Sequence, residues 1–353
     1  MMSTLKFFIY SHWKRSGPEQ KISGFTLIEL LVAMILAALV ITPLLGFLVD
    51  LMGADRREQA QATSQQEIQA AMDYINRDLQ QAIYIYDRAG LDTIPNGVPG
   101  ARSIRQQLQP IVANGQPVLV FWKREFRPQA IQAGTSTQRD DSFSYALVAY
   151  YLIPNTDGSN PTWSRTARIA RLQLRDGVPA ANGTNCPGVT TPAGTPQKRF
   201  AIGSDGKPIC PDPGFSSFLD AVGSTTIEKI RNWQMGTGTP DPPQVLVDFI
   251  DQTQMAAGDP ATLCPGFPAP VAPNPGPPVT VGTNPLVQSG VAGFYACVQS
   301  VNPSTQGSVA QIFLRGNARA RLQNTPPTFQ QGLEAQFPTA SMRVEGRSFL
   351  FTQ

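Results

Sequence analysis

The stretch Ser23–Phe47, SGFTLIELLVAMILAALVITPLLGF, decides the architecture of everything around it. From Leu30 to Val49 no residue carries a charge. About 20 helical residues rise ~30 Å, the thickness of a bilayer core. Two residues depart from a plain membrane helix. Gly24 stands directly before the run, and Glu29 lies near its start. A carboxylate in hydrocarbon is costly and usually marks a function with a partner charge. The spacing puts Glu29 in the second turn of its helix, where the dipole mildly favours an anion.

Outward from that stretch, residues 1–24 form a basic leader. Lys6, Lys14, Arg15 and Lys21 stand against Glu19, which equals the whole chain's formal net charge of +3. The remainder is therefore balanced, with no electrostatic case for a nucleic-acid surface. Basic residues ahead of the apolar run keep the leader cytoplasmic and send the bulk across the membrane. A secretory signal shares this layout. It expects a small-residue cleavage site after the apolar run, whereas here the run continues into a helical pattern.

The order of basic leader, Gly24, Phe25, Glu29 and apolar stretch resembles the type IV prepilin family. The resemblance covers "GFTLIELLVA" at nearly every position. It implies that a prepilin peptidase cuts between Gly24 and Phe25 and methylates the new Phe25 amine. Residues 25–49 then stay as a transmembrane anchor and filament core. Glu29 would meet the Phe25 amine of a neighbouring subunit during assembly. Pro43 and Gly46 are expected to break or bend the helix. The implied partners are the peptidase, other pilins or pseudopilins and an inner-membrane assembly platform.

Beyond Asp50 the sequence turns polar but keeps a helical period. Ile68, Met72, Ile75, Leu79, Ile83 and Tyr86 form one apolar stripe, opposite Gln65, Gln66, Asn76, Arg77, Gln80 and Gln81. The helix is expected to run to about Asp87, residues 50–88 being its amphipathic half. "MDYINRDLQQAIYIYD", Met72–Asp87, is similar to the matching helix of larger minor pilins and pseudopilins, through Arg77-Asp78-Leu79 and Gln81-Ala82.

Residues 89–353 read as a periplasmic head. Strand patterns fall at Pro117–Trp122, Ser144–Ile153, Ala167–Arg175, Val245–Ile250 and Val309–Leu322, with a turn at Asn155–Asn160. The expected fold is α+β: a long N-terminal helix on one antiparallel sheet, pilin-like, with Pro/Gly-rich loops. Two excursions, 177–213 and 256–285, lack the apolar content to order themselves. The four cysteines, Cys186, Cys210, Cys264 and Cys297, form no CxxC pair and suit disulfides in an oxidising compartment. Sequential pairing, Cys186–Cys210 and Cys264–Cys297, is the preferred of three connectivities.

The single histidine, His12, lies in the leader. After cleavage none remains, which excludes Ser-His-Asp and Cys-His catalysis and the commonest zinc ligation. No enzyme, cofactor or metal is expected, and nothing singles out a glycosidase acid pair. Asp157 with Asn155 and Asn160 resembles a calcium-loop fragment, but lacks the full ligand series and reads as a turn. "SDGK" at Ser204–Lys207 reads as a hairpin turn, and "GTGTPD" at Gly236–Asp241 lacks the context of a phosphate loop. Arg315, Arg319, Arg321, Arg343 and Arg347, partly offset by Glu334 and Glu345, read as a solvated strand face rather than a polymer site. "YYLIPN" and "LRGNARARL" are similar to pseudopilins of hormogonium polysaccharide secretion. That implies a minor pseudopilin exporting polysaccharide for gliding motility, polysaccharide being a possible partner. A type IV pilus minor pilin for adhesion, motility or DNA uptake is the first alternative, and a membrane-tethered carbohydrate-binding module the second.

Overall fold

Ala, Leu, Met, Gln, Glu and Arg dominate Leu27–Leu79, and that whole span forms one α-helix, α1. The structure, a computed structural model, describes residues 24–96, 98–132, 138–155, 160–187, 189, 197–255, 264–265, 267, 286–288, 290–299, 308–323, 325 and 327–346. The chain divides into two compact units at Asp55/Arg56. The described part of the first unit is helix α1 to Asp55, preceded by Gly24–Thr26, and its large apolar side chains are exposed. Pro43 sits inside the helix without ending it, and the helix also continues through Gly46, which corrects the expected break. One missing N–H frees one carbonyl, and the helix-forming residues around it keep the ladder. The preceding Thr42 hydroxyl donates back to Ala38 O at 2.7 Å, a bond that favours bending over rupture.

The second unit begins at Arg56 and contains the head. In this half of α1, Ala60, Ser64, Ile68, Ala71, Met72, Ile75 and Leu79 are buried at spacings of three and four. The helix stops at Leu79, not near Asp87. Ala82–Ile85 is instead a strand, β1, buried along its whole length. Alternating Ile and Tyr suit a pleated strand covered on both faces. Ile83 and Tyr86 therefore leave the helical stripe for the sheet, and Tyr86 N donates to Val120 O at 2.9 Å. Asp87 then caps the short helix α2, Arg88–Asp92, by accepting from Gly90 N at 2.7 Å. A capping box of Ser103 and Gln106 starts α3, Ile104–Leu108.

The main sheet adds β2 (Gln116–Gln132), β3 (Arg139–Ile153), β4 (Ala167–Arg175) and β6 (Gln244–Ile250), in the order β1-β2-β3-β4-β6. All neighbours are antiparallel, with Trp122 opposite Leu147 and Ala149 opposite Leu172. β2 runs well past Trp122, and a register shift between Arg127 and Ile131 absorbs Pro128. The core joins Trp122 edge-on to Phe218 at 4.8 Å and to Trp233 at 5.8 Å. Trp233 follows α4, Thr226–Arg231, whose Ile230 O accepts from Tyr86 Oη at 2.6 Å.

The expectation of one sheet is corrected by a second, four-stranded sheet. β7 (Leu286–Gln288), β8 (Phe294–Gln299), β9 (Val309–Arg315) and β10 (Thr339–Glu345) lie in the order β10-β9-β8-β7. β9 ends at Arg315 rather than running to Leu322. Asn317 then caps a 3-10 turn, Ala318–Arg321, by accepting from Ala320 N at 3.2 Å. Close backbone approach requires glycine here. A Cβ on Gly316 would lie 2.9 Å from Ser64 Oγ and 3.1 Å from Ile68 Cγ1 of α1. At Gly293 it would lie 1.8 Å from Asp251 O.

Both disulfides take the preferred pairing, Cys186–Cys210 and Cys264–Cys297. The first excursion is more ordered than its composition suggests. It holds β5 (Pro179–Thr184), and Val178 and Ala201 bury themselves against Ala130. Of the second excursion, Cys264 and Phe267 pack with Cys297; most of 256–285 lies outside the described residues.

Candidate functional site

The site begins at the start of α1. Glu29 Nα donates to Thr26 Oγ1 at 3.3 Å, while Glu29 Oε2 accepts from Thr26 N at 3.4 Å and from Thr26 Oγ1 at 3.3 Å. This is a reciprocal capping box, Thr-x-x-Glu, which satisfies donors that the first helical turn leaves free. Glu29 is thus in the first turn, not the second. The signal missed in the sequence was Thr26, three residues before an acid and directly ahead of an apolar run. Phe25 is 82% exposed, and a Cβ on Gly24 would meet nothing within 4 Å among the described residues. The two residues of the expected cleavage therefore flank the capped end. The rest of the leader, residues 1–23, lies outside the described residues. Downstream, α1 is long and apolar enough to cross a membrane.

A second cluster fixes α1 to the sheet. Asp78 is buried in the last turn of the helix, and its carboxylate is 3.1 Å from Lys123 Nζ of β2. It also accepts from Arg171 Nε of β4 at 2.6 Å and from Tyr150 Oη of β3 at 2.7 Å. Burial alone would raise the Asp78 pKa, but the Arg171 hydrogen bond and charge outweigh it, with help from Lys123 and Tyr150. The net shift is downward from 3.8. Lys123 also holds Glu125 at 2.9 Å, and Arg127 reaches the same carboxylate at 3.2 Å. Asp78 stood in the quoted Arg-Asp-Leu step, but its partners lie on three strands far along the chain.

The arginines expected on a solvated face have mixed placements. Arg315 pairs with fully buried Asp251 at 2.7 Å and lies over Phe329 at 4.3 Å. Arg321 pairs with Glu67 and covers Phe249 at 4.1 Å. Arg343 stands over Phe267 at 5.3 Å, Arg319 lines a cavity, and Arg347 lies outside the described residues. Glu334 Oε1 accepts from Gly332 N at 2.9 Å, and Glu345 is exposed at the end of β10. Asn155 ties down its loop by donating to Ser164 O at 2.7 Å and Asn160 O at 3.1 Å. Asp157 lies outside the described residues. Among those described, no three His, Cys, Asp or Glu side chains converge as metal ligands. Ser204–Lys207 forms a turn, closed by Gly203 N donating to Lys207 O at 2.7 Å. Gly236 and Gly238 pack against Phe215 and Pro213.

Residues 20–45 match the prokaryotic N-terminal methylation motif, a prepilin-type signature. Motif and helix fit a type IV pilin-like protein. The match takes in the end of the leader, Gly24, Phe25, Glu29 and the run past Pro43. Neither a curated protein nor a solved structure matches the chain. The motif implies, in general terms, processing by a prepilin peptidase and assembly with other pilins. The family that the motif defines is structural rather than catalytic, and the apolar helix points to membrane anchoring.

Proposed function

We propose that the chain is a minor pseudopilin, a structural subunit of a type IV pilus-like or type II secretion-like filament. The observation that carries this is the match over residues 20–45, with Gly24, Phe25 and Glu29 gathered at the start of α1. Cleavage falls between Gly24 and Phe25, and the Phe25 amine is methylated. The leader stays cytoplasmic, the anchor waits in the inner membrane and the head is periplasmic until the subunit joins the filament. Two disulfides in the head support an oxidising compartment. Glu29 exchanges its bond to Thr26 N for the amine of a neighbouring Phe25. A charged pair in a water-poor filament core is worth more than the neutral hydrogen bond it replaces. The task we assign is polysaccharide export linked to gliding motility, on the similarity of the head's "YYLIPN" and "LRGNARARL" to such pseudopilins.

Mass spectrometry of the mature amino terminus tests the class. The expected species begins with N-methylated Phe25; an intact Met1 would overturn the reading. The Glu29→Ala variant is expected to be processed and inserted normally but to lose filament assembly. Normal assembly and polysaccharide export by that variant would argue for a tethered module that never polymerises.

A further inference from the structure

The main sheet ends in two edges of different character. β1 is buried along its whole length, whereas β6 has Gln244 exposed and Val245 and Leu246 half-buried. On its inner side β6 pairs with β4. On its outer side the chain pairs with it only briefly. Gly316 stands opposite Ile250, Asp251 N donates to Arg315 O at 2.9 Å, and Asn317 N donates to Phe249 O at 2.7 Å. In that antiparallel register an extended continuation would set Ala318–Arg321 along residues 245–248. Those four residues coil into the 3-10 turn instead, and among the described residues no strand takes their place. An apolar edge is ordinarily blunted by charge or proline, and Val245, Leu246 and Val247 supply neither.

Beside this stretch lies a hollow of about 710 Å³, lined by every residue from 245 to 249. Side chains of a strand alternate between its faces, so a hollow touched by each residue in turn runs along the edge rather than over one face. Its other wall is α1, through Glu67, Ala70, Ala71 and Tyr74 at spacings of three and four. The whole groove belongs to the second unit. A helix stripe facing a bare strand edge suits an extended peptide: the edge supplies main-chain bonds, and the wall takes alternate side chains. Ala70 and Ala71 leave space for large ones. Both acids in the lining are engaged, Glu67 with Arg321 and Asp248 by accepting from Ser164 N at 2.9 Å and Ser164 Oγ at 2.7 Å. Nothing in the groove therefore calls for a charged guest. We propose that it takes an extended apolar segment of a different pilin-type subunit as an added strand beside β6. The inference rests on the reading of the chain as a minor filament subunit, whose neighbours are other chains.

The test places the photo-cross-linker p-benzoylphenylalanine at Tyr74, an aromatic for an aromatic on the exposed wall of the groove, in the full-length chain in its own cells. Mass spectrometry of the product is expected to find an apolar run of a different chain that carries a prepilin-type methylation motif. Ala70→Trp fills the groove from an exposed helix position and should cut the product at least tenfold. Gln69→Trp, exposed but outside the groove, should leave it unchanged. Both variants should melt with the parent in neutral detergent. In the purified product, amides of residues 245–248 that exchange freely in the uncross-linked chain should slow at least tenfold. No product, or full yield from Ala70→Trp, would overturn the groove. A link within the same chain, to a second copy or to a chain without the motif would overturn the occupant. Unchanged amide exchange would overturn strand addition. The mature amino terminus tests the filament reading separately: an intact Met1 removes that reading, while cross-linking and exchange still report on the groove.

Discussion

At the scale of single residues, Asp78 concentrates the head's electrostatics. Removing its carboxylate would leave Lys123 and Arg171 buried without their shared partner. The Asp78→Ala variant is expected to lose ~3–5 kcal/mol in urea unfolding, more than a surface charge deletion costs. Its pH signature follows from the sign of the shift. The folded pKa is depressed, so the contribution is present above the ordinary carboxylate range and disappears as pH falls below ~3.8. Asp176 behaves in the opposite way. Burial lifts its pKa to about 6, against a hydrogen bond from Gly177 N and the charge of Lys198, with Asp220 adding to the rise. The fold then holds a proton that the unfolded chain has released, so stability falls as pH rises from ~4 to ~6 and levels off above. The Asp176→Asn variant is expected to be more stable than the parent by ~1–2 kcal/mol at pH 7 and equal to it near pH 4. Thermal melts across that range check it.

At the scale of elements, the most regular patterns were legible and the mixed ones were not. Ala167–Arg175 alternates apolar and polar residues along its whole length, and β4 has those same bounds. The polar half of β2 is hidden because charges and Pro128 mask its pairing, which only the facing strand β3 makes plain. The residues Ile83–Tyr86 fit a helical stripe and a buried strand equally well by spacing; burial on both faces decides for β1. The split into two sheets was invisible because strand patterns do not say which strands pair, nor do they show the close approaches at Gly293 and Gly316. Gly316→Ala must displace Ser64 or Ile68 of α1, with an expected cost of ~1–3 kcal/mol. Gly293→Ala meets a backbone carbonyl that cannot turn away, so a larger loss is expected. Paired denaturation curves of the two variants check that order. At the amino terminus, Gly24, Phe25 and Glu29 were legible because they are contiguous. Thr26 is less legible, because a lone acid in an apolar run points first to a partner charge outside the chain.

At the scale of the whole molecule, the disulfides secure regions of different character. The Cys186–Cys210 bridge closes a loop that already buries Ala201 against Val178 and Ala130, whereas Cys264–Cys297 ties a Pro-rich excursion to β8. On the chain-entropy account each bridge stabilises by roughly 3–4 kcal/mol. Thiol labelling of denatured, non-reduced protein from its native compartment is expected to find no free cysteine. Four reactive thiols would remove both bridges.

The short link between α1 and β1 has a mechanical consequence. Only Gln80 and Gln81 separate the helix from a strand laid antiparallel against β2. A subunit drawn out of a bilayer by its helix would pass tension straight into β1. The antiparallel ladder to β2 then takes up that load. Asp78, gripped from three strands just before the link, takes part of that load before it reaches β1. The last turn of α1 is thus held by the sheet before the chain enters β1.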